Sequence, residues 1–128
     1  MFELTVSATG FTEEVAAKEG FETVCAVVDS RSKHGMIPGM KPWQIKLVFD
    51  IKTEKVIGGQ IVSHSIPPSR KIDAVSAFIL GGKTISELTT FMSACNPDIS
   101  SEPSMEPIAI AAEQALQKLK NCKKELRQ

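Results

Sequence analysis

Residues 43–50, "WQIKLVFD", alternate in character: Trp43, Ile45, Leu47 and Phe49 fall on one side, Gln44, Lys46 and Asp50 on the other. A period of two is the mark of a strand with one buried face. "DIKTEK" then reads as a turn and "VIGGQIVS" as the return strand, so the middle of the chain is a hairpin. A lone hairpin is marginally stable in water. This one therefore requires further strands beside it and a layer over its apolar face. Gly58 and Gly59 within the return strand imply a bulge or the close approach of another backbone.

The flanking sequence supplies both requirements. "FELTVS" places Phe2, Leu4 and Val6 on one face of a strand, and "FETVCAVVDS" is a second, β-branched one. "TGFTEEVAAKEG" between them predicts a short helix. Thr12 can cap it, Glu13 and Glu14 suit the positive end of its dipole, and Gly20 fits the left-handed position that stops it. "RSKHGMIPGMKP" reads as a loop. Beyond "HSIPPSRK" the period changes to that of helices. Ile72, Val75, Ala77, Phe78 and Ile79 give a stripe closed by Gly81 and Gly82, and Thr84 with Glu87 has capping-box spacing at the head of "TISELTTFMSA". The last helix starts from a Ser104 cap with Pro107 in its first turn. Ile108, Ala112, Ala115, Leu119 and Cys122 line one face, with Glu113, Gln114, Gln117, Lys118 and Lys120 on or near the opposite side. The prediction is one α+β domain over residues 1–128: a two-layer, four-stranded, mostly antiparallel sheet packed with helices.

Lys+Arg and Asp+Glu both number 15, so the formal charge is zero. Such a chain has no electrostatic footprint for nucleic acid or for an anionic membrane, and its copies do not repel one another. No apolar run approaches a membrane span, and "MFELTVSATG" lacks the form of a signal peptide, so the expected compartment is the cytoplasm. Three cysteines without a CxxC argue against a disulfide framework and against structural zinc. No GxGxxG or Walker motif is present, and neither GxSxG nor HExxH occurs.

Chemistry has few candidates. Cys95 stands beside Asn96 and Pro97 in the proline-broken stretch "CNPDISSEP", where a nucleophilic thiol would need a base or a positive neighbour. No His, Lys or Arg lies close to it in sequence. A packing or exposed cysteine is the plainer reading, and a small thiol enzyme or ligand-binding domain built on Cys95 is the alternative. Cys25 and Cys122 read as core residues, and His34 and His64 as loop residues without metal-ligand spacing. Asp98, Glu102 and Glu106 suit the start of a helix. The alanine face of the last helix fits either a core or a close helix–helix contact, and with zero net charge a dimer seam is credible.

Three stretches together resemble a known module. "GFTEEVAAKEGF", "LVFDIKTEKVIGGQIVS" and "RKIDAVSAFILGGKTISEL" are similar, in this order, to the C-terminal dimerisation domain of FAD- and NAD(P)H-dependent disulfide oxidoreductases. The third is most similar to the NADH oxidase and coenzyme A-disulfide reductase branch. The resemblance runs from about Ser7 to about Leu119 and implies a homodimer joined to FAD- and NAD-binding domains. It also implies a loop before the last helix that reaches the partner subunit's flavin. In glutathione-reductase-like members that loop holds His-Pro and a Glu. Here Asn96–Pro97 stands at the dipeptide, and Glu102 near the Glu position but one residue late. In the NADH oxidase branch the loop holds a Tyr, and Ala94 falls at that place. Asn hydrogen-bonds but does not exchange protons near neutral pH. The resemblance therefore implies dimerisation with Asn96 and Pro97 near the partner's flavin. Cys95, Asn96 and Glu102 are the only weak catalytic candidates. The chain alone is expected to bind no cofactor and no metal, while FAD and NAD(P)H belong to a parent protein of which it is a fragment.

Overall fold

The computed structural model describes residues 5–31, 42–63, 71–91 and 107–126. The elements are β1 (Thr5–Gly10), α1 (Glu13–Lys18), β2 (Thr23–Arg31), β3 (Pro42–Asp50), β4 (Val56–Ser63), α2 (Ile72–Leu80), α3 (Ile85–Leu88) and α4 (Pro107–Leu126). The four strands form one sheet in the order β1-β4-β3-β2, and every pairing is antiparallel. This is the α+β two-layer sheet anticipated from the hairpin.

The hairpin turn is held by Asp50. Its carboxylate accepts from the Lys52 N–H and from the Thr53 hydroxyl, both at 3.0 Å. Glu54 then takes a positive φ of 63°. Along β3 Trp43, Ile45, Leu47 and Phe49 are buried on the helix-covered face as read, but Val48 and Asp50 are buried as well, so the alternation in exposure ends at Lys46. α4 lies over β2 and β3, and α2 over β1 and β4. The core is the space between, filled by Phe49, Ile45, Leu47, Ile61, Val75, Ile108 and Leu119.

The glycine pair does both things its position implied. The register slips between Val48 and Phe49, which face Gly58 and Val56, so Ile57 is the extra residue of a bulge in β4 beside Gly58. A side chain on Gly58 would collide with the Phe11 carbonyl, and one on Gly59 would meet Val75 Cγ1 at 2.7 Å. Phe11 also donates its N–H to the Ile57 carbonyl at 2.9 Å, which pins the entry to α1 against the bulge.

The caps follow the local signals. Thr12 accepts from the Val15 N–H at 3.2 Å, and Gly20 takes φ 89° after α1. Thr84 and Glu87 form the full capping box of α3. Ser104 lies outside the described residues.

Several expectations need correction. The first strand runs to Gly10, and Val6 is 63% exposed on the sheet's outer face. The covered side of β1 is instead the one carrying Thr9, whose hydroxyl accepts from Ser76 at 2.8 Å. In α2 only Val75 is buried, and Ala77 is exposed. α3 ends at Leu88, a single turn. Cys122 is exposed rather than core, because α4 has by then passed the end of the buried face. Cys25 is half-buried on the outer face of β2, since its neighbours Val24 and Ala26 take the inner one. Ala112 and Ala115 are fully buried under α4, so the alanine face is core and not a seam between copies.

Candidate functional site

The loop residues singled out from sequence, Cys95, Asn96, Pro97 and Glu102, lie outside the described residues, as does Ala94. The residues at either side of that stretch are tied down. Phe91 packs on the core edge-on to Phe78, with ring centroids 4.9 Å apart, and Pro107 and Ile108 are buried at the start of α4.

Among the described residues, the one cluster with a reactive atom is on the outer face of the sheet. α1 crosses that face and brings Glu13 over β2. Cys25 Sγ donates to Glu13 Oε2 at 2.7 Å, and Lys46 Nζ stands 3.9 Å from Glu13 Oε1. Burial pushes the thiol up to about 11, and the hydrogen bond to Glu13 and that carboxylate's charge push in the same direction. The same hydrogen bond, with Lys46, holds Glu13 below the usual carboxylate range. A thiol held in this way stays protonated at neutral pH, which lowers its nucleophilicity. The hydrogen bond fastens α1 to the sheet. Lys118 Nζ donates to the Cys25 carbonyl at 2.7 Å and ties α4 to the edge strand on the other side. Sequence spacing gave no sign of these contacts, which join residues 12 and 93 apart.

The second feature is an apolar groove of about 440 Å³ where α1, the hairpin and α2 converge. Phe11 and Phe21, 5.6 Å apart and tilted, line it with Val56, Ile57 and Ile79, and Asp50, Thr53 and Lys55 add polar groups. Leu80 stands at its edge, 91% exposed. The aromatic pair bracketing a six-residue helix in "GFTEEVAAKEGF" was the legible signal, and pattern reading alone did not connect it to Leu80.

α1 opens on Glu13 and Glu14 and α2 on Asp73, so these two helix starts carry carboxylates where a phosphate would otherwise bind. No group of three His, Cys, Asp or Glu side chains among the described residues is placed to hold a metal ion. No helix among them is long and apolar enough to cross a membrane. Among the described residues, the buried Trp43 Nε1 has no hydrogen-bond partner.

Comparison with known proteins is consistent from three directions. The family model for the dimerisation domain of pyridine nucleotide-disulphide oxidoreductases matches residues 1–106. A CoA-dependent NAD(P)H sulfur oxidoreductase of Pyrococcus furiosus is 33% identical over 86 residues, covering 67% of this chain and 19% of the relative. An NADH oxidase of Methanocaldococcus jannaschii is 32% identical over 119 residues, covering 93% of this chain and 26% of the relative. Among solved structures, an NAD-dependent persulfide reductase from A. fulgidus superposes with a TM-score of 0.83 at 26% identity, over 94% of this chain and 22% of that one. The water-forming NADH oxidase from Lactobacillus brevis shares the fold, with a TM-score of 0.82 at 23% identity over 95% of this chain and 26% of that one. The chain thus spans about a fifth to a quarter of the length of these relatives.

Proposed function

The chain belongs to the pyridine nucleotide-disulphide oxidoreductase family, of which it carries the dimerisation domain, and from that premise we propose that it is the homodimerisation module of a larger NADH-oxidase-like flavoprotein. The parent's FAD- and NAD-binding domains supply the cofactors, and this chain supplies self-association. The observation that carries the reading is the match of the family's dimerisation model to residues 1–106.

The loop carrying Asn96, Pro97 and Glu102 is proposed to reach the partner subunit's flavin. Support comes from the described residues at its two ends: Phe91 and Pro107 are both fastened to one core. With Asn96 in place of a proton-exchanging side chain, the loop contributes contact and hydrogen bonding to the flavin site rather than acid–base catalysis. The relatives' names divide between NADH oxidase and CoA-dependent sulfur or persulfide reductase, and each includes NADH or NAD(P)H. NAD(P)H is accordingly the proposed electron donor of the parent.

The test uses the purified chain. Sedimentation across a concentration series is expected to show a dimer. The preparation is expected to be colourless and to oxidise no NADH with or without added FAD. Flavin-dependent NADH turnover by a clean preparation would overturn the reading, and so would a chain that stays monomeric at high micromolar concentration.

A further inference from the structure

We propose that Lys118 guards the edge of β2: its ammonium on the Cys25 carbonyl keeps this strand from pairing edge to edge with β2 of another copy. The inference stands apart from the dimerisation reading, because it concerns a contact that the chain avoids rather than one that it makes.

Among the described strands β2 comes last in the order β1-β4-β3-β2, and β3 pairs with one side of it. The first contact of that pairing fixes which backbone groups face which way. The Ile51 N–H donates to the Glu22 carbonyl at 2.9 Å, and the register then runs without a shift from Thr23–Asp50 to Arg31–Pro42. In an antiparallel pair, residues alternate between exchanging hydrogen bonds with the partner strand and turning their N–H and C=O away from it. Glu22, Val24, Ala26 and Val28 therefore face β3. Cys25, Val27 and Asp29 turn their backbone groups outward.

A row of outward N–H and C=O groups is a template for another strand. The sequence of β2 makes the template a good one. The strand is nine residues long, carries neither Gly nor Pro, and holds the uncharged apolar run Val24–Val28. High β-propensity with low charge and no proline is the signature of segments that stack with their own copies.

Lys118 meets this edge at its outward set. α4 packs over β2 with Ala115 and Leu119 turned into the core. Lys118 comes one place before Leu119, about 100° round the helix, at the flank of the buried face. From there it carries an exposed ammonium to the Cys25 carbonyl, 2.7 Å away. An added strand would lie about 4.8 Å from β2 and would need that oxygen as an acceptor. It would have to displace the ammonium or bury it, and a buried charge without a partner is costly. Lysine suits the place, since its long stem lies along apolar surface while its head stays in water. A contact that only tied α4 to β2 would add stability and leave association untouched, so the two roles separate by experiment.

The experiment compares the full chain with Lys118→Met, Lys118→Arg and Lys120→Met, the last removing an exposed lysine from the same helix. Sedimentation velocity over a concentration series reads association, urea unfolding reads stability, and hydrogen exchange reads single amides. Lys118→Met keeps a helix-forming stem without the charge. It is expected to form species larger than those of the wild type, at a concentration lower by at least about tenfold. In those species the β3 amides should stay as protected as in the wild type. The Val27 and Asp29 amides, fast to exchange in the dilute wild type, should become protected. Lys118→Arg keeps a charged donor and should behave as the wild type, and so should Lys120→Met. The proposal is overturned if Lys118→Met loses stability without gaining association, or if its larger species leave the Val27 and Asp29 amides unprotected. It is overturned too if those two amides are already slow to exchange in the dilute wild type, since the edge would then be occupied. Every variant is scored against the wild type, so the result holds whether the wild type sediments as a monomer or a dimer.

Discussion

Gly59→Ala tests how tightly α2 is set on β4. The added Cβ would stand 2.7 Å from Val75 Cγ1 and 3.2 Å from Leu47 Cδ2. Val75 is 1% exposed and Leu47 fully buried, so neither side chain has free space to enter. Overpacking of this kind costs about 1–3 kcal/mol. Val75→Ala removes two buried methyl groups, at about 0.8 kcal/mol of transfer each plus a cavity contribution, or about 2–3 kcal/mol in all. The two changes are complementary, because Val75→Ala deletes the atom that the new Cβ would strike. Independent costs would sum to about 3–6 kcal/mol, whereas the double variant is expected to lose only about 2–3 kcal/mol, a coupling of about 1–3 kcal/mol. Urea unfolding at one fixed protein concentration measures this, provided the slope is unchanged. Gly58→Ala is the control. Its Cβ meets the Phe11 carbonyl, which is backbone, so Val75→Ala should not relieve it. Additivity of Gly59→Ala and Val75→Ala within about 0.5 kcal/mol would refute the packing of α2 on Gly59.

Further outcomes are expected from the same geometry. With Cys95 and Cys122 replaced by Ser, alkylation of Cys25 should be slow at pH 8 and accelerate only as pH approaches about 11, and Glu13→Gln should move that onset to lower pH by removing the carboxylate that keeps the thiol protonated. The sign for stability follows: the Cys25 contribution is complete below the ordinary thiol range and is lost as pH rises through about 11. Ala112→Glu and Ala115→Glu should unfold the domain, each costing more than about 3 kcal/mol by burying an unpaired charge, and a folded monomer in their place would show that this face is not core. Thr84→Ala should cost about 1 kcal/mol through the lost cap. Glu87 is held below the usual carboxylate range by the Thr84 N–H and hydroxyl and by Lys83, so that cost should shrink as pH falls through its lowered value. Asn96→Ala should change unfolding free energy by no more than about 0.5 kcal/mol, and a severalfold larger loss would make its loop a clamp within one copy.

What the sequence alone determined was set by interactions a few residues long. The strand alternation of "WQIKLVFD" and the caps at Thr12 and Thr84 are local, and so is the left-handed stop at Gly20, so each was legible and each stands in the structure. The family was legible for a related reason: it is written in those same short stretches, in order. The tertiary structure decided which body covers each apolar face. In β2, Val24, Cys25, Ala26, Val27 and Val28 are all apolar, so there is no alternation from which to tell that Cys25 turns outward. Ala112 and Ala115 satisfy the packing of a core and of a helix seam equally well, and only the arrival of β2 and β3 beneath α4 makes them core. Cys122 continues their spacing, but the helix outruns the surface that would bury it. For α2 the outcome is reversed: its stripe is legible, but of its residues only Val75 is buried. Helical period states where side chains point, and burial depends on distant chain meeting them there.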